Sequence, residues 1–146
     1  MGAQLSARRL ALACAAVIVG ASLWPFGGWR WPERFDTAWF GLPWPRGLGW
    51  FDVTSNVVAY LPMGASVAAA LARPGDGPAQ RLRAALLGLL AASALSHAME
   101  NVQRGLPSRT PSMVDWVLNS FGAGLGLAVW LAAQALRDLR ARARAA

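Results

Sequence analysis

The sequence lacks lysine altogether and has one cysteine, one histidine and one tyrosine among its 146 residues. Charged residues make up only 14% of the chain and hydrophobic residues 55%, which is too apolar for an ordinary soluble domain. An internal disulfide is excluded because Cys14 is the only cysteine, and its position in an apolar run indicates a small packing residue. The scarcity of charged residues and the apolar composition indicate a protein embedded in a membrane.

The basic residues are all arginine, and they give the chain a net charge of +7. They flank the apolar runs: Arg8 and Arg9 precede the first, Arg73, Arg81 and Arg83 lie between the second and third, and Arg137, Arg140, Arg142 and Arg144 follow the last. Charge in such positions is a topology signal and contacts lipid headgroups. Since no groove-reading motif is present, we expect membrane lipids and no nucleic acid as partners.

Four apolar runs are long enough to cross the hydrocarbon layer, at about 10–26, 53–72, 82–99 and 112–136. They predict an all-α integral membrane bundle of about four transmembrane helices. The first run also fits a secretory signal peptide, but no clear small-x-small cleavage site precedes a soluble region, so we expect a retained helix. Arginine counts place the N-terminus, the 73–83 loop and the tail inside, which makes both termini cytoplasmic.

Between the first two runs, residues 24–50 carry six of the eight tryptophans and four prolines. Because the indole ring prefers the headgroup level, we expect this connection to lie along the membrane surface, as an anchor or as a platform for lipid or carbohydrate. The chain then divides into residues 1–51, with the first helix and this connection, a three-helix region at 52–136, and an Arg-rich cytoplasmic tail at 137–146.

The predicted topology brings polar residues to the outer ends of three helices. Asp52 and Asn56 open the second span, His97 and Glu100 close the third, Asp115 and Asn119 open the fourth, and Gln103, Arg104 and Arg109 lie in or beside the loop between the last two. Ionisable groups are costly near lipid, so we expect them to face the bundle interior, one another or water. Gly122 and Gly126 continue the face of Asp115 and Asn119 and allow a second helix to approach closely.

Each of these residues also has a structural interpretation. Ser112 followed by Asp115 fits a helix N-terminal cap, and an acidic residue in a first turn is favourable by itself. The two asparagines can act as hydrogen-bonding links between helices, and Glu100 and Arg109 can form an ion pair. A lone histidine such as His97 is more often a hydrogen-bonded packing residue than a base or ligand. The convergence of six polar positions is what favours a site.

The motif that starts with Asp52-x-x-x-Asn56-Val-Val-Ala-Tyr-Leu-Pro62-Met-Gly64 resembles the VanZ-like family. Glu100-x-x-Gln103, Arg109 and Asp115-x-x-x-Asn119-x-x-Gly122-x-x-x-Gly126 continue the resemblance in order and spacing, over about residues 52–131. Asn56 stands where some members carry histidine. The resemblance implies a multi-pass protein of the bacterial cytoplasmic (inner) membrane, in a family named for a member associated with low-level resistance to the glycopeptide teicoplanin. It supplies no settled activity.

Three functions stay open. In the first, the chain binds or modulates a lipid-linked envelope precursor or another anionic headgroup at the outer face, through Asp52, Asn56, Glu100, Gln103, Arg109, Asp115 and Asn119. In the second it is a phosphate hydrolase or transferase with Glu100, Asp115 and His97 as catalytic candidates, in which Asp52, Glu100 and Asp115 bind a divalent cation or one carboxylate acts as base. In the third it is an accessory subunit or homo-oligomer that docks through its small-residue faces. The sequence leaves the cofactor unknown, and we assign no residue to a dedicated metal site.

Overall fold

The computed structural model describes residues 2–30, 47 and 49–145 and contains four α-helices. Helix α1 spans Gly2–Leu23, α2 Trp50–Leu71, α3 Pro78–Gln103 and α4 Met113–Ala145. Each helix is long and apolar enough to cross a membrane, and the described residues contain no strand. The predicted all-α architecture with four spans is therefore confirmed.

Two helices are longer than their apolar runs. Helix α1 begins at Gly2, before the arginine pair, and α4 continues through the Arg-rich tail to Ala145. Alanine, leucine and arginine are strong helix formers, so the backbone hydrogen bonds continue after the hydropathy falls. At 33 residues α4 is about 50 Å long, whereas the hydrocarbon layer is about 30 Å thick, so the helix extends well past it.

Burial in this bundle is the reverse of that in a soluble protein. The most buried positions are small residues, with Ala68, Ala92, Ser96 and Ala123 fully shielded. Large apolar side chains point outward along the helices, and Phe51, for example, is 82% exposed. An apolar surface of this extent is typical of contact with lipid. Small residues inside and large ones outside are what helix packing in a membrane favours, because close backbone approach replaces the hydrophobic driving force.

Helix α2 is central, since it packs against each of the other three, and its packing against α4 is the most extensive in the bundle. Glycines create that contact. A Cβ atom at Gly122 would lie 2.8 Å from the Cα of Val57, and one at Gly126 would lie 2.9 Å from the carbonyl carbon of Leu61. Gly64 faces Ala123 in the same way from the α2 side. The glycine spacing on α4 thus predicted a real helix–helix seam.

The start of α1 and the later part of α4 lie at the same end of the bundle, where Ala3 and Arg137 line a common cavity. We call this the terminal end and the opposite one the polar end. Of the predicted surface segment at 24–50, residues 31–46 and 48 lie outside the described residues. The described tryptophans Trp24, Trp29 and Trp50 are exposed around the polar end.

Replacing Gly126 with alanine should destabilise the bundle, because the new methyl group overlaps the α2 backbone and forces the two helices apart. Overpacking of this kind costs about 1–3 kcal/mol. Gly124→Ala is the matched control, since a Cβ there meets open space and alanine is the better helix former. Denaturant unfolding in detergent micelles checks the pair, and equal loss of stability in both variants would contradict the seam.

Candidate functional site

A cavity of about 490 Å³ opens at the polar end, between all four helices and the loop that joins α3 to α4. We call it the acidic pocket. It brings together all seven predicted binding residues, which come from α2, α3, α4 and the loop: Asp52, Asn56, Glu100, Gln103, Arg109, Asp115 and Asn119. The convergence that the topology predicted is therefore present in the fold. Helix α1, on which no site residue was predicted, adds Ile18, Ala21 and Ser22 to its wall.

The charged side chains of the lining are mostly acidic. Three carboxylates, from Asp52, Glu100 and Asp115, face one guanidinium, that of Arg109. No ion pair joins Arg109 to any of them within the described part of the chain, so the ion pair considered between Glu100 and Arg109 is absent. Carboxylates in such surroundings are stabilised by donated hydrogen bonds or by a ligand that brings positive charge.

Arg109 instead fastens the end of α1. Its Nη2 donates to the carbonyl of Ala21 at 2.6 Å and its Nε donates to that of Trp24 at 3.1 Å. Gln103 acts beside it, since its Nε2 donates to the carbonyl of Ser22 at 2.9 Å. The last carbonyls of a helix have no partner within the helix and carry its negative dipole end. Two residues expected to bind a ligand therefore have a structural role as C-terminal caps.

Glu100 has a structural contact as well. It is 4% exposed, and its Oε2 accepts a hydrogen bond of 2.8 Å from the backbone N–H of Ser112. Ser112 in turn caps α4, because its hydroxyl accepts from the N–H groups of Val114 and Asp115. The cap that the sequence indicated is confirmed. The carboxylate of Glu100 thus lies at the positive N-terminal end of α4, which offsets part of the cost of burying it.

Below the pocket a buried polar seam connects α2, α3 and α4. Asn119 donates from Nδ2 to the hydroxyl of Ser96 at 2.9 Å, and Tyr60 interacts with the same hydroxyl. Asn119 therefore links helices, as one of its two interpretations predicted. Its Oδ1 atom, however, is buried and has no hydrogen-bond partner among the described residues. An acceptor left in this condition costs about 1–3 kcal/mol, so an occupant of the pocket that donates to it gains affinity.

Asp115 and Asp52 are the more accessible acids. Asp52 is exposed in the first turn of α2, and Asp115 is half-buried in the first turn of α4. Asn56 lies beside the carboxylate of Asp115, and the charge of Asp52 acts on the same group. The N-termini of α2 and α4 thus each place one carboxylate at the acidic pocket, and the amide of Asn56 lies beside the carboxylate of Asp115.

His97 and Arg104 do not line the pocket. The ring of His97 packs edge-on against Trp116 with centroids 5.1 Å apart, and Asn101 lies beside it on the same helix. His97 thus contacts Trp116 of α4 and does not belong to the pocket lining, although Glu100, one turn further along α3, does. His97 as a catalytic group of this site is therefore not supported by its position.

The described residues contain no group of three or more His, Cys, Asp or Glu side chains placed to hold a metal ion. Asp52, Glu100 and Asp115 share the pocket without forming a ligand set. The proposal that these three carboxylates together bind a divalent cation is thus not supported by their spacing.

Sequence reasoning missed Tyr60 and the loop hydroxyls of Ser108 and Thr110, which also line the pocket. Tyr60 was detectable, because Asp52, Asn56 and Tyr60 recur every four residues and so share one face of α2. The loop hydroxyls carry no comparable spacing signal, since a loop has no fixed period.

The chain matches no protein-family model, no curated protein and no solved structure. The site is therefore interpreted from its own geometry.

Removing the side chain of Arg109 should loosen the end of α1. In Arg109→Ala, we expect amide hydrogen exchange at residues 20–24 to accelerate roughly 5- to 30-fold, the population change that corresponds to about 1–2 kcal/mol. Exchange in the middle of α3 should stay unchanged, and Arg83→Ala should leave α1 protected because Arg83 lies at the terminal end. Unchanged exchange at 20–24 would show that the cap has no such role.

Proposed function

We propose that this chain is a VanZ-like protein of the bacterial inner membrane that holds the headgroup of a lipid-linked envelope molecule in the acidic pocket. The observation that carries the proposal is the surplus of acceptors at one concave place. Three carboxylates without an ion-pair partner among the described residues line a cavity of about 490 Å³, together with Asn119, whose buried Oδ1 accepts from none of these residues. Small-molecule sites have volumes of about 300–1,000 Å³ and a few convergent polar groups.

The acceptor surplus defines what the headgroup must offer. Sugar hydroxyls and ammonium groups donate hydrogen bonds, and both complement carboxylates and an amide oxygen. For a phosphate, Arg109 is the one cationic side chain in the described lining, and two of its donors already bind α1. The pocket is therefore suited to the donor-rich part of a headgroup, with any phosphate beside Arg109. The proposed headgroup is therefore more specific than the anionic headgroup expected from the sequence, because it must be rich in hydrogen-bond donors.

The distribution of charge supports an outward-facing pocket. Arginines concentrate at the terminal end, where Arg73, Arg81 and Arg137 surround one cavity, whereas carboxylates concentrate at the polar end. Arginine-rich ends stay in the cytoplasm. We accordingly assign both termini to the cytoplasm and the acidic pocket to the outer leaflet, where lipid-linked envelope molecules are exposed.

The enzyme alternative retains less support. A hydrolase or transferase would keep Glu100 and Asp115 in the pocket, but His97 lies outside it and the carboxylates form no metal ligand set. Of that mechanism, only general-base catalysis by one carboxylate is left. We therefore propose a binding or modulating role in the cell envelope.

Native mass spectrometry of protein extracted in mild detergent tests the proposal. We expect wild type to retain a lipid. The Asp52→Asn and Glu100→Gln variants should retain at least about tenfold less of it, since a hydrogen bond to a charged group contributes about 1.5–3 kcal/mol. Both changes keep the size of the side chain, and an amide oxygen still accepts the bond from Ser112.

Asp76→Asn is the control, because it removes a carboxylate at the terminal end. Equal retention by all four proteins would overturn the binding role. Release of phosphate from an added prenyl-phosphate lipid by wild type, lost in Glu100→Gln, would favour the enzyme instead.

A further inference from the structure

A second cavity, of about 410 Å³, lies at the terminal end of the bundle. We call it the arginine pocket. It is formed by the start of α1, the end of α2 with the turn after it, the first turn of α3 and the later part of α4. Its polar and aromatic lining consists of Gln4, Arg73, Arg81, Trp130, Gln134 and Arg137. It lies across the membrane from the acidic pocket and shares no residue with it.

The charge of this pocket is incompletely neutralised. None of the described residues that line it is acidic. Arg81 pairs with Asp138 through both terminal nitrogens of its guanidinium. Arg73 and Arg137 form no ion pair with any residue that the structure describes. The Asp76 carboxylate beside Arg73 accepts instead from the Arg73 backbone N–H at 2.7 Å. Two exposed guanidinium groups, those of Arg73 and Arg137, thus border the cavity without an ion pair to a described residue.

Two contacts hold the walls in place. Gln4 donates from Nε2 to the carbonyls of Ala70 and Ala72, which fastens the start of α1 to the end of α2. The Arg81–Asp138 pair fastens α3 to α4 at the same level. Because these side chains already have partners, the cavity has a fixed frame, and Arg73 and Arg137 stay available on two sides of it.

We infer that the arginine pocket binds the phosphodiester of an anionic phospholipid from the leaflet around the terminal end. A guanidinium donates two parallel hydrogen bonds to a phosphate, and basic pockets between membrane helices are suited to anionic headgroups. Trp130 supplies the amphipathic ring that prefers the interface, and Ala69 and Ala133 leave an apolar wall for the glycerol and the first acyl carbons. This site is independent of the function proposed for the acidic pocket.

The test uses the full chain in detergent, with phosphatidylglycerol as the anionic probe and phosphatidylethanolamine as the zwitterionic one, both titrated in native mass spectrometry. We expect phosphatidylglycerol to bind more tightly. Arg73→Gln and Arg137→Gln should each weaken it about fivefold, the effect of one arginine at a membrane surface.

Arg140→Gln is the matched control, since it removes the same charge from α4 outside the pocket. Equal weakening by Arg137→Gln and Arg140→Gln would overturn the site in favour of diffuse surface attraction. Displacement of the lipid by millimolar inorganic phosphate would also overturn the lipid assignment, because the pocket would then be a site for free phosphate. Circular dichroism of each variant confirms that the helices are intact.

Discussion

The close approach of α2 to α4 is the constraint on which the rest of this structure depends. Gly122 and Gly126 leave the α4 backbone bare where Val57 and Leu61 of α2 pass it. With the two backbones in contact, the side chains one turn or two nearer the polar end are forced together. Asn56 then lies beside Asp115, and Asn119 reaches the seam with Ser96 and Tyr60. The acidic pocket is the space that remains above this contact, where the helices separate.

The two ends of the bundle have opposite electrostatic character. At the polar end, acids lie near the N-termini of α2 and α4, whose dipoles favour negative charge. At the terminal end, arginines lie around the cavity between α1, α2 and α4. This opposite charge at the two ends is the basis of both proposals, a donor-rich headgroup at the polar end and an anionic headgroup at the terminal end.

Much of the architecture could be predicted from the sequence, because hydropathy marks each helix by itself and an even number of spans places the ends together. The membership of the acidic pocket followed from the same topology. The roles of Arg109 and Gln103 could not, since they depend on where α1 ends, more than 80 residues earlier in the chain. The position of His97 outside the acidic pocket could not be predicted either, because helical spacing alone places His97 and Glu100 on the same side of α3.

The Oδ1 atom of Asn119, which has no hydrogen-bond partner among the described residues, gives the most direct test of the proposed headgroup site. A structure determined at high resolution from mildly extracted protein should show a bound headgroup or its ordered water donating to Asn119 Oδ1 at about 2.7–3.2 Å, inside the acidic pocket. A pocket closed by protein side chains, with Oδ1 bonded to one of them, would contradict the account.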